Sequence, residues 1–338
     1  MATIFSTNKK TFFYYTWTII LLLHVFGGIF SIDFDSIEQF SLFKGTIFSL
    51  LIFYPFYNFI WKGVLDDNLL IKFSLFLSPI FIVQYFINYQ TILDSRISGK
   101  VDVVNNSAYY LTAIIPFLFL LIRHRTLIPF VFLVLEALIL FSAKRGAILA
   151  GAFEFLGMIG FVFFNQEFKN WMAKFVFLLL LLGAILFLST NFIDFSDYTY
   201  ARFSSLSDGN FSGRDLILAS LLNTWYTSES VSNIIFGYGF GSSILYSGTG
   251  NFAHNDWIEI LFSFGIFGIL FYFLLMFSIT KILYNVFKNN IHSIMAAVLF
   301  FVILVNSMNY RFLYAFESFL YILLIIFLEK TKSSRNRV

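Results

Sequence analysis

Residues 256–284 read DWIEILFSFGIFGILFYFLLMFSITKILY, and no charged side chain occurs between Glu259 and Lys281. A bilayer core about 30 Å thick is crossed by about 20 apolar residues in a helix. The run therefore reads as a membrane span. It is entered through a polar step at Asp256 and Glu259 and is long enough for tilt or a kink.

Working outward, the same pattern recurs along the chain. Spans are expected near 12–30, 42–61, 70–88, 108–122, 126–142, 147–164, 172–190, 256–284, 294–308 and 312–328. The expected fold is all-α and integral to a membrane: a polytopic bundle of about ten transmembrane helices over 1–338 as a single domain. Pro55, Pro79, Pro116 and Pro129 fall inside spans or at their ends, where a bundle tolerates them. Composition agrees, with 59% hydrophobic residues, 12% charged and a mean hydropathy of +0.82. Soluble domains carry about 25% charged residues. The first apolar stretch exceeds a signal-peptide core and lacks a small-residue cleavage site, so it is expected to be retained as a span.

The net charge of +3 is too small to suggest a nucleic-acid partner. With no cysteine, disulfides, thiolate metal sites and a Cys nucleophile are excluded. His24, His124, His254 and His292 show no metal-ligand spacing, and neither metal nor cofactor is expected.

Orientation follows from Lys and Arg placement. With the N-terminus cytoplasmic, 14 of the 22 fall in inner segments, both termini face the cytoplasm, and the other 8 are outer: Lys44, Arg96, Lys100, Lys144, Arg145, Arg202, Arg214 and Arg311. Five of these eight are Arg, the side chain that grips phosphate bidentately. They point to a basic outer cavity.

The longest polar stretch, 191–255, forms an outer loop inserted before the eighth span. Within it DLILASLLNTWY at 215–226 is expected to form an amphipathic helix lying on the outer membrane face. Ser212–Asp215 would stand at its N-terminus, where the helix dipole and Arg214 both favour an anion. Gly237-Tyr-Gly-Phe-Gly241 is a turn that can either present backbone amides to phosphate, through Gly237 and Gly239, or serve as a plain flexible turn. The loop closes at His254-Asn255-Asp256-Trp257-Ile258-Glu259. Asp256 and Glu259 share a helix face and need partners or water.

These residues carry a resemblance. His254-Asn255 followed by Gly265-Ile-Phe-Gly268 resembles the signature of the O-antigen polymerase and O-antigen ligase superfamily. Ser212-Gly213-Arg214, Gly237-Tyr238-Gly239, Ser142-Ala-Lys-Arg145-Gly146, and Arg96-Ile-Ser-Gly99 with Asn105-Asn106 are similar to further motifs of that family. They run in order from about 90 to about 285.

The resemblance implies an integral-membrane glycosyltransferase of the bacterial inner membrane, metal-independent and with its active site facing the periplasm. A polymerase would join undecaprenyl-diphosphate-linked repeat units in O-antigen and lipopolysaccharide biosynthesis; its partners would be the lipid-linked oligosaccharide as donor and acceptor, membrane lipids and a chain-length regulator protein. The alternative is a ligase that transfers glycan to lipid A core. The departing diphosphate would be held by Arg145 and Arg214, with Arg96 and Arg311 as further candidates and Asn255 among the substrate-binding residues. His254 would act as general base on the acceptor hydroxyl, with Asp256 or Glu259 orienting the imidazole, or would instead bind the diphosphate. A lipid-linked glycan flippase is the rival from another class, and a membrane scaffold a third. Internal repeats, frequent in transporters, are not evident.

Overall fold

The computed structural model describes residues 10–31, 37–97, 105–121, 128–142, 144–164, 174, 178–179, 213–289, 292–310, 312–315 and 317–335. These form thirteen helices, with no strand among the described residues: α1 Phe12–Ser31, α2 Ile37–Leu51, α3 Phe53–Trp61, α4 Asp67–Ile97, α5 Ala108–Leu118, α6 Ile128–Phe141, α7 Arg145–Phe164, α8 Arg214–Tyr226, α9 Val231–Phe236, α10 Ser242–Tyr246, α11 Asp256–Asn289, α12 Ser293–Asn309 and α13 Ser318–Arg335. The expected span at 172–190 and residues 191–212 of the outer loop lie outside the described residues, apart from isolated positions.

Five helical stretches are long and apolar enough to cross a bilayer: Phe12–Ser31, Gln39–Trp61, Asp67–Gln90, Arg145–Phe163 and Asp256–Lys288. Among the described residues the chain is thus all-helical and built as a membrane protein. Helices α5, α6 and α12 are apolar but shorter. The second span is two helices, α2 and α3, parted at Ile52. Pro55 is the cause, because it offers no N–H to the carbonyl of Leu51 and its ring crowds that carbonyl.

Contacts divide the chain into two compact units. One contains 1–65, 211–288 and 303–338, the other 66–210 and 289–302. In the first, Trp17 of α1 stacks on Phe53 with ring centroids 5.2 Å apart, and its Nε1 donates to the Leu50 carbonyl beside the α2–α3 break at 2.9 Å. Thus a polar group loosened by the break is satisfied by a neighbouring helix, as a dry interior requires. The α3 helix packs on α13.

In the second unit α5 is central and packs against α4, α6 and α7. Every residue from Leu111 to Leu120 is buried, which explains why its sequence is apolar all round rather than striped. Asn105 fastens the start of α5. Its N–H donates to Ser142 O at 3.3 Å, its Nδ2 to Tyr85 O at 3.0 Å, and its Oδ1 accepts from Ser107 N at 3.0 Å.

Candidate functional site

The helix expected at 215–226 is present as α8, and residues 213–255 hold two further short helices, α9 and α10. Helix α8 begins at Arg214 after Gly213, whose φ of +74° stops the helix from extending backward. Ile217 and Leu221, one turn apart, are buried with Ala253 and Phe262, and Trp225 and Tyr238 pack against them. This face therefore lies on the start of α11, while Leu216, Leu222 and Tyr226 stay exposed.

The Gly-rich turn does not offer a cradle of free amides. Gly237 N–H donates to Asn233 O at 2.9 Å, Tyr238 N–H to Phe262 O at 2.9 Å and Gly239 N–H to Ser263 O at 3.0 Å. Assignment of Gly237 and Gly239 to phosphate through these amides is therefore corrected. The reason lies in α11, which is broken at Gly265, with φ +64° and ψ −158°. That break frees the Phe262 and Ser263 carbonyls, which the amides of Tyr238 and Gly239 take up, while the Gly237 amide closes α9 on Asn233. A Cβ on Gly237 would stand 2.4 Å from Phe264 N, and one on Gly265 2.4 Å from the Ile235 carbonyl carbon. Glycine on both sides is what allows the two backbones to cross.

The C-terminus of α12 gathers residues from both ends of the 213–257 segment. Arg214 Nη1 donates to Asn309 O at 2.9 Å and Asn255 Nδ2 to Met308 O at 3.0 Å, while Trp257 Nε1 donates to Ser307 Oγ at 3.3 Å. The last carbonyls of a helix lack intrahelical donors and carry the negative end of its dipole. A guanidinium and an amide from residues distant in sequence satisfy them here. Asn255 also caps α11, its Oδ1 accepting from Ile258 N at 3.1 Å, as an N-cap Asn does. Expected as a substrate-binding residue, Asn255 thus uses both ends of its side chain to fix the entry to α11.

Asp256 is fully buried, and its Oδ2 accepts from Tyr272 OH at 3.2 Å and Leu313 N at 2.9 Å. Glu259 is also buried. Its Oε1 accepts from Ser243 Oγ at 2.6 Å and its Oε2 from the N–H of Ala253 at 3.1 Å. The two carboxyls share the buried side of α11 but hold different neighbours. Asp256 holds the segment after α12, whereas Glu259 holds the residue preceding His254. Glu259 therefore positions His254 through the backbone.

His254 lies between these anchors, half-buried, its ring 5.4 Å edge-on from that of Phe252. Among the described residues it alone, apart from glycines, has a positive φ, of 51°. A non-Gly residue in that region is uncommon, and such backbone strain gathers at functional sites. His254 is thus set at the mouth of α11, next in sequence to Asn255, which bonds the α12 terminus, at a place where a plain turn would carry Gly or Asn.

The other cations are placed differently. Arg145 opens α7 in the second unit and is half-buried beside Lys144, whose Nζ lies 5.9 Å over the Tyr109 ring. Asn105 bonds to Ser142 of the same turn, so the Asn105-Asn106 and Ser142–Gly146 segments meet there. Arg96 lies in the last turn of α4, and its side chain is outside what the structure describes, as is the whole of Arg311.

Sequence reading passed over Glu136 and Glu154. Both are buried, in α6 and α7. Glu136 Oε1 and both Glu154 oxygens have no hydrogen-bond partner among the described residues. A Cβ on Gly151 would stand 2.7 Å from Glu136 Oε2, so the Glu136 carboxyl lies against α7 one turn before Glu154. The available signal was a lone acid within each apolar run, a costly placement that ordinarily marks function.

No protein-family model matches the chain, and neither a curated protein nor a solved structure matches it.

Proposed function

We propose that the protein is a polysaccharide polymerase of the bacterial inner membrane, joining undecaprenyl-diphosphate-linked repeat units at the periplasmic face without a metal. The observation that carries this reading is the strained His254 at the mouth of α11, preceding Asn255, which bonds the same α12 terminus as Arg214, with Glu259 holding the residue before it. A general base must be held within hydrogen-bond reach of the acceptor hydroxyl, and a cation must meet the charge that builds on the departing diphosphate. His254 supplies the first function. Arg214 supplies the second, because a guanidinium carries five donors and only one is needed for Asn309. Arg145, Arg96 and Arg311 enter the proposal as diphosphate ligands on the sequence resemblance alone.

The same proposal includes ten spans and cytoplasmic termini. In it, His254 takes the proton from the acceptor sugar hydroxyl, the hydroxyl oxygen bonds to the donor's anomeric carbon, and the lipid diphosphate leaves with the electron pair. The membrane lipids hold the substrate tails, and a chain-length regulator is the expected protein partner.

Reconstitution in vesicles with a defined undecaprenyl-diphosphate repeat unit tests this reading. Polymer formed without lipid A core supports it; transfer only to added core shows a ligase, and movement of intact lipid-linked glycan without bond formation shows a flippase. His254→Asn is the informative variant. Asn tolerates a positive φ yet cannot serve as a base, so the fold should persist while polymer is lost. Unchanged polymer length would remove His254 from the chemistry.

A further inference from the structure

The exposed apolar surface of α11 has a sharp upper limit. From Trp257 to Phe264 no α11 side chain is exposed. Immediately beyond the Gly265 break Ile266 and Phe267 are 43% and 42% exposed, and Leu270 and Phe273 are both 58%. In a spanning helix that lower stripe faces acyl chains. Part of what covers the upper third is α9 with the turn that follows it, joined to α11 through the Phe262 and Ser263 carbonyls.

The covering segment is itself apolar on its outside. Phe236 sets its ring 5.9 Å from Phe267 yet remains 59% exposed, and Val231 and Ile235, one turn apart, are 66% and 39% exposed. The lipid-facing stripe of α11 thus continues onto α9.

Depth along α11 agrees. Residues 262–265 lie six to nine positions beyond Asp256, about 9–14 Å at 1.5 Å per residue. Gly265 is sixteen positions from Lys281, the first cation toward the other end, about 24 Å, which is within the roughly 30 Å of a hydrocarbon core. Irregular backbone is tolerated at such depth only where protein satisfies its polar groups. The amides of Tyr238 and Gly239, donating to the Phe262 and Ser263 carbonyls, meet that condition.

We propose that α9 is a re-entrant membrane element, seated in the acyl-chain region of the leaflet that holds the start of α11, with Val231, Ile235 and Phe236 packed against lipid tails. The loop then does more than close over the outer surface: it replaces lipid along the first third of α11 and brings its own apolar face into the bilayer. The inference is independent of the catalytic reading.

The chain has no cysteine, so single nitroxide labels report without background. Glu229→Cys, Val231→Cys, Phe236→Cys and Phe273→Cys would each be labelled in the full chain and reconstituted in phosphatidylcholine vesicles. Collision rates with oxygen and with a neutral nickel chelate give a depth parameter, the logarithm of their ratio. It is expected to be positive at 231 and 236, as at 273, and negative at the exposed, polar 229. A positive value at 273 establishes that each preparation is inserted. A negative value at 231 or 236 would place α9 in water and overturn the proposal. So would low collision with both reagents at those sites, because another protein surface would then occupy the face.

Discussion

Replacing Glu259 separates a carboxyl that does chemistry from one that holds a loop. In the structure its two oxygens take a hydroxyl at 2.6 Å and a backbone N–H at 3.1 Å. The Ser263 hydroxyl stands at 3.5 Å, at the limit of a hydrogen bond, and adds little. A hydrogen bond to a charged acceptor contributes about 1.5–3 kcal/mol, so Glu259→Ala should cost about 3–6 kcal/mol. Glu259→Gln keeps the shape and one acceptor for Ala253, while the Ser243 hydroxyl can turn to accept from the new amide. Its cost should fall to about 1–2 kcal/mol. Unfolding in mixed micelles, followed by Trp fluorescence and extrapolated linearly in denaturing detergent, gives both values. Transfer activity of the same two proteins supplies the second readout. A positioning residue predicts that Glu259→Gln keeps most activity as well as most stability. Stability of Glu259→Ala within about 0.5 kcal/mol of the parent, the range of a surface change with no partner, would refute the clamp. Full stability in Glu259→Gln with activity abolished would instead make Glu259 a participant in the reaction.

Three other outcomes follow from the same geometry and can be read in the same unfolding assay. Gly265→Ala places a Cβ 2.4 Å from the Ile235 carbonyl and holds Ala in a region nearly exclusive to glycine, so a loss above about 3 kcal/mol is expected; Gly160→Ala, with nothing within 4 Å of the added atom, should be neutral or stabilising by about 0.5–1 kcal/mol. Arg214→Ala removes the donor to the α12 terminus and should cost about 1.5 kcal/mol, with lipid-diphosphate affinity falling in a separate binding measurement. Glu154→Leu removes two buried oxygens without a partner among the described residues and should raise the unfolding free energy by about 1–3 kcal/mol; a fall would show that the carboxyl is bonded, and a gain joined to lost transfer would show that Glu154 is kept for function.

Much of the chain was legible because a bilayer imposes a one-dimensional rule. Backbone polar groups must be satisfied within the segment, so apolar length alone marks spans. The runs at 12–30 and 256–284 became α1 and α11 within a few residues. The periodicity of 215–226 likewise became α8, because Ile217 and Leu221 recur at helical spacing. Helices α9 and α10 were not legible, being too short for a periodic signal. The Gly237 turn was read with two meanings, and neither was the one found. The fate of its amides depends on carbonyls freed by Gly265, more than 20 residues later.

The sequence by itself determined that the chain is helical and membrane-built, that its polar residues gather around one loop, and that His254 opens the span after it. Only the tertiary structure decided what those residues touch. Asn255, Arg214 and Trp257 meet at the end of α12, Asp256 and Glu259 hold different neighbours, and the loop follows α11 past its first turns. The physical reason is one of range. Burial in lipid is decided residue by residue along the chain, whereas a hydrogen bond or a close backbone crossing requires both partners, and these stand from six to 95 residues apart.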